Sequence, residues 1–256
     1  RDWLDSGGSD DCCARNFEAL VDVARSRLPS DMRLWAIELG SRVLTHAENW
    51  TSLRARAAMI KNLSRCHGLI GDPKMVQAMI HRLSSCLHAA FKGHARSARP
   101  WFEPALSYDN ARLSEGLIIG GYFMADADMM NDGIRSLDWL MAQQSHALTG
   151  HFLPIPTSQF AAEGQNHPIY DQQPLEVLAT IDACLSASQM THDPNWHEAA
   201  LKAFGWFHGE NSLGLSLLDG EGGCFDGLTP FGCNENQGAE SILAYPLSWL
   251  ALKTAQ

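Results

Sequence analysis

The chain has 256 residues, 45% of them hydrophobic and 19% charged, with a formal charge of -10. That excess of acid argues against nucleic acid or an anionic membrane as a partner, since both need clustered Lys and Arg to displace counterions. The longest apolar runs, such as GLIIGGYFMA, fall short of a membrane span, and no Gly/Ser or charged linker divides the chain, so a single globular domain over residues 1–256 is expected.

The chain opens on RDWLDSGGSDD, with no initiator Met and no apolar signal segment, and is expected to be an excerpt of a longer one. Helical periodicity then predicts nine helices, over residues 12–28, 31–46, 51–68, 73–92, 110–125, 129–147, 172–189, 194–209 and 237–253, with strand-like alternation nearly absent. The fold class is therefore all-α. Even-numbered helices share a start signal, a capping Asp at Asp72, Asp128 and Asp193, followed directly by proline in the first and third. Trp139 and Trp206 echo one another within two of these helices, and both read as core, as does Trp249. The repeating unit is a helical hairpin of about 60 residues, too long for tetratricopeptide arrays.

Odd-numbered helices start on richer turns. Tyr108-Asp109-Asn110, Tyr170-Asp171-Gln172 and Glu235-Asn236-Gln237 recur in register with the hairpin. Stacked antiparallel hairpins put every odd helix start at one end, so these turns are predicted to share a face, along with the two long loops over residues 148–171 and 210–236. Each of Asp109, Asp171 and Asn236 is alternatively an N-cap. Capping does not account for the accompanying Tyr108, Tyr170, Gln172, Gln173, Gln237 and Glu240.

The seven cysteines, Cys12, Cys13, Cys66, Cys86, Cys184, Cys224 and Cys233, contain no C-x-x-C pair, which predicts reduced thiols and a cytoplasmic protein. Cys224 and Cys233 are the alternative, as a disulfide or part of a metal site. No His or Cys stands at the short spacing of zinc sites, so neither metal nor cofactor is expected.

The segments RPWFEPALSYDNARLSEGL, GHFLPI, YDQQPLEVLATIDAC, AFGWFHGENSLG and GGCFDGLTPFGCNENQGAESILAY resemble the helical domain found behind bacterial glycosyltransferases, within the six-hairpin (α/α)6 glycosidase-like superfamily. The resemblance is close over residues 100–254 and extends to the first hundred only in helical pattern. It implies a toroid of helical hairpins, incomplete here because nine helices fall short of twelve. It also implies a carbohydrate-active, glycosidase-like protein of bacterial type, with an oligosaccharide or glycoside as substrate and a glycosyltransferase domain as partner.

Glycoside hydrolysis needs two carboxyl groups flanking the scissile bond, and Asp109, Asp171 and Glu240 are the candidates on the shared face. Trp101, Phe102, Tyr108, Phe152, Tyr170 and Phe225 offer flat surfaces for sugar C–H faces. Asn110, Gln172, Gln173, Asn234, Asn236 and Gln237 offer the paired donors and acceptors that hydroxyls require. Arg112 either binds ligand or pairs with Asp109 or Glu115. His151 is a candidate acid or base, with a loop histidine held by backbone as the alternative; His167 is weaker. Hydrolysis is the expectation, with sugar epimerisation or isomerisation, or a non-catalytic glycan-binding module, as alternatives.

Overall fold

The computed structural model describes residues 9–47, 49–66, 68–156 and 169–255. Among these it is all-α, with nine helices: α1 (Asp10–Arg25), α2 (Ser30–Ala47), α3 (Leu53–Arg65), α4 (Pro73–His94), α5 (Ala111–Met124), α6 (Ala127–Gln143), α7 (Pro174–Thr191), α8 (Asn195–Gly205) and α9 (Ala239–Thr254). One short antiparallel hairpin, β1 (Gly227–Thr229) with β2 (Gly232–Asn234), lies in the loop before α9 and had no signal in the alternation of the sequence. His167 lies outside the described residues.

Four helix starts carry a capping side chain, of which Asp72 is the one expected. Ser9 accepts from the Cys12 N–H at 3.1 Å, Ser52 from Ala55 at 3.2 Å, Asp72 from Lys74 and Met75 at 3.0 Å, and Asp126 from Met129 at 3.0 Å. At α6 the cap is therefore Asp126 and not Asp128, which is exposed inside the first turn. Pro73 and Pro174 occupy first turns, where a missing N–H costs no helical bond.

The odd helices pack side by side in chain order, α1 on α3, α3 on α5, α5 on α7 and α7 on α9, while α2, α4, α6 and α8 each lie against the odd helix before them. Two close approaches set this spacing. A Cβ on Gly116 of α5 would stand 2.7 Å from the Ala57 Cα of α3, and one on Gly133 of α6 would meet the Ile118 backbone of α5 at 2.8 Å. Consequently α5 is buried on every side from Ala111 to Gly121.

Charges show that the row of odd helices is curved. Lys61 of α3 reaches Glu18 of α1 at 3.7 Å, Glu115 of α5 at 3.2 Å, and Asp182 of α7 at 2.6 Å. Packed helices stand about 8–10 Å apart, so in a flat row α5 would separate α3 from α7. Trp206 is fully buried in the core and Trp139 packs half-buried against it, but Trp249 does neither. It lies on the outer face of α9 with Leu243, Leu247 and Leu250, because α9 turns its small residues, Ser241, Ala244 and Ser248, toward the protein.

Candidate functional site

The starts of the odd helices do share one end of the molecule, joined by hydrogen bonds. Asp10 at the start of α1 accepts from the N–H groups of Thr51 and Ser52 just before α3, at 2.7 and 3.1 Å. Asp11 takes the Ser52 hydroxyl at 2.6 Å and also the Tyr108 hydroxyl. Arg54 of α3 forks onto Glu103 at 3.0 and 2.8 Å, donates to the Tyr108 carbonyl, and lies 4.7 Å from the Tyr108 ring centroid.

None of the three rich turns caps its own helix with a side chain. The N-cap alternative for Asp109, Asp171 and Asn236 therefore fails, because the caps come from elsewhere. Glu176, in the first turn of α7, accepts from the Asp109 N–H, from the Asn110 N–H at 3.3 Å and from the Asn110 amide at 3.0 Å, thus holding the start of α5. Asp226 accepts the Gly238 N–H at 2.7 Å and the Asn236 amide, holding the start of α9. Burial, then the neighbouring Asp109 charge, push the Glu176 carboxyl up to about 7 against the pull of the donors from Asn110 and Asp109.

Much of the polar content of the YDQQPLE turn before α7 is structural. The Gln172 backbone pairs with Leu228 in both directions at 3.0 and 2.9 Å, in a space kept open by Gly227, whose Cβ would meet the Gln172 carbonyl at 2.1 Å. Its side chain donates to the Ile169 carbonyl and the Ser212 hydroxyl and accepts from the Trp206 indole at 2.7 Å. That leaves Gln172 nothing for a sugar. Gln173 and Tyr170 are half-buried, and Asp171 is exposed.

The remaining candidates scatter. Trp101 and Phe152 are enclosed in the core at 0% and 1% exposure and offer no face to a ligand, and Phe102 is likewise buried. Tyr108 is 44% exposed, its phenol pushed up to about 12 by burial and then by Asp11. Asn110 is buried, bound to Glu176 and the Ser107 N–H. Asn234, Asn236 and Glu240 are exposed, Phe225 is half-buried, and Gln237 donates to Asp219 at 2.7 Å. The His151 ring stacks on His146 at 4.6 Å, with its Nδ1 2.6 Å from the Thr149 hydroxyl, so it is held by its own loop.

Of the three proposed carboxylates only Asp109 is buried, and no contact among the described residues joins it to Asp171 or Glu240. It lies 3.4 Å from Arg15 and 3.7 Å from Arg112. Arg112 continues inward to Glu115 and to Asp182 at 3.3 Å, so it takes both of the structural partners open to it and reaches a third. Asp109, Arg112, Glu115, Asp182, Lys61 and Glu18 thereby form one connected network across α1, α3, α5 and α7.

This network lines a cleft of about 410 Å³, within the size range of small-molecule sites. Lys61, Glu115 and Asp182 form one wall; Ser186, Gln189, His197 and Thr254 supply hydroxyl, amide and imidazole groups on the others. Burial would raise the Asp182 carboxyl, but Lys61 and Arg112 together outweigh it and hold it below the usual carboxylate range. Burial and Arg112 oppose the Lys61 charge, and Asp182, Glu115 and Glu18 more than restore it. The sequence reading missed this cleft and Glu176. A signal for the cleft existed: α5 and α7 are apolar nearly all round, so charges such as Glu115 and Asp182 had to be buried and paired.

Among the described residues no cluster of three or more metal-ligating side chains occurs, all seven cysteines are free thiols, and no helix is long and apolar enough to cross a membrane. No family model matches the chain, and no curated protein matches it.

Proposed function

We propose that the chain is an arc of an (α/α) toroid that acts on carbohydrate, and that its first role is to bind a sugar in the cleft beside Lys61, Glu115 and Asp182. The observation that carries this reading is the cleft itself. Its charged wall is largely neutralised by internal pairing, and Ser186, Ser188, Gln189, His197 and Thr254 present mixed donors and acceptors, the chemistry that hydroxyl groups need. The curvature of the odd helices supports the toroid, and the free thiols support a cytoplasmic setting. In this reading a glycosyltransferase domain is the partner that supplies or receives the glycan. Titration calorimetry with a panel of neutral disaccharides tests it; silence from the whole panel refutes it.

Hydrolysis is the second reading, favoured by one observation at the other end of the network. Glu176, its carboxyl near 7, lies directly against Asp109, so one group is suited to donate a proton while its neighbour sits among arginines. Reducing-sugar release should then fall about a hundredfold in Asp109→Asn. The same loss in Asp171→Asn, with Asp109→Asn unaffected, would move the chemistry to the exposed turn.

A further inference from the structure

The charges around the cleft do not balance. Among the described residues, four carboxylates, Glu18, Asp109, Glu115 and Asp182, meet three cations, Arg15, Lys61 and Arg112. Arg65, which also faces Glu18, is paired with Asp22 and brings no net charge. An excess carboxylate in a largely buried network is costly unless a cation or solvent answers it.

The excess has an outlet at Asp182. Glu115 is fully enclosed, and its two oxygens are taken by Lys61 and Ser186 on one side and Arg112 on the other. Asp109 is turned toward Arg15 and Arg112, away from the residues that line the cleft. The Asp182 side chain retains 15% exposure, and its two cations both approach the same oxygen, Oδ2, leaving Oδ1 with no hydrogen bond from the described residues. Around it stand Ser186, Gln189 and Thr254, which can serve hydroxyls but carry no charge.

We propose that the cleft takes an amine-bearing sugar, with its ammonium group against Asp182 and its hydroxyls on Ser186, Gln189 and Thr254. This deepens the carbohydrate reading and rests on it. The ammonium closes the charge count, donates to the open Asp182 oxygen, and is drawn in by the chain's acidic balance. An acetylated or hydroxylated sugar of the same shape supplies no such cation.

Three disaccharides with the same β-1,4 linkage separate these chemistries: the glucosamine dimer, its di-N-acetyl form and cellobiose. Calorimetry near neutral pH should give the glucosamine dimer an affinity about tenfold or more above the other two, the scale of one partly screened ion pair. Its advantage should fade between about 0.05 M and about 0.5 M salt, while cellobiose binding hardly changes. Asp182→Asn should bring the three ligands to parity, and if that variant does not fold, the salt series on the unaltered protein decides. Equal or tighter binding of cellobiose refutes the amine inference and leaves the carbohydrate reading standing. No binding by any of the three overturns both.

Discussion

Glu176 is the residue whose perturbation is best defined by its surroundings. It is 3% exposed, holds the start of α5 through two backbone N–H groups and the Asn110 amide, and lies against Asp109. Its carboxyl is raised from an ordinary 4.5 to about 7. Between those values the folded protein keeps a proton that the unfolded chain has released. Stability from this group is therefore fully present below about 4.5 and is withdrawn as pH rises through about 7, at about 1.4 kcal/mol per pH unit and on the order of 3 kcal/mol in total. Glu176→Gln keeps the shape and cannot titrate. Urea unfolding of both proteins from about pH 5 to about pH 8 should show the wild type losing on the order of 3 kcal/mol relative to the variant, whatever their offset at the acid end. Parallel curves over that range would refute the reasoning, since they would mean that the three donors hold the carboxylate charged and that burial and Asp109 do not prevail.

Lys61→Met leaves Glu115 and Asp182 on Arg112 and Glu18 without its ion pair to Lys61, and should cost about 3–5 kcal/mol by chemical denaturation. Gly116→Ala forces a methyl against the Ala57 backbone and should cost about 1–3 kcal/mol, visible as a lowered Tm. Gln172→Leu strands the Trp206 indole N–H and should cost about 1–3 kcal/mol, with a shift in tryptophan emission as the second readout. With all seven thiols free, a reductant should leave the Tm unchanged; a clear fall would mean that a disulfide such as Cys224–Cys233 forms in solution.

The helices were legible because their signals are local. Asp72-Pro73 and Asp126 act within their own turn, and the spacing of the rich turns gave their common end before any contact was known. The cap at α6 was placed two residues late because ADAD offers two aspartates and sequence does not choose between them. The purpose of the rich turns was not legible, because a cap supplied by Glu176 to a helix 66 residues earlier has no local signature. Trp101 and Phe152 differ from that reading for a related reason: an aromatic in a polar loop reads as exposed, whereas here Trp101 packs on Trp139 of α6 and Phe152 is enclosed in the core. Trp249 is the reverse, a tryptophan in an apolar helix that packs Ser241, Ala244, Ser248 and Leu252 against the protein instead.

The two ends of the curved row differ in a way that bears on where a ligand binds. At the starts of α1, α3, α5 and α7 several polar groups are tied to the next helix: Asp10 and Asp11 hold Ser52, Arg54 holds Tyr108, and Glu176 holds Asp109 and Asn110. A sugar arriving among those pairs would have to displace protein hydrogen bonds of equal worth. Toward the far ends of α7 and α9 the arrangement opens, and Ser188, Gln189 and Thr254 line the cleft beside a carboxylate with an open oxygen. Ser186 already donates to Glu115 and Thr254 to the Leu250 carbonyl, so a ligand adds bonds there by donating to those hydroxyls. The rich turns, a usual address of function, here tie neighbouring helix starts together through Glu176 and Asp226, and the same packing sets Lys61, Glu115 and Asp182 against one another in the cleft.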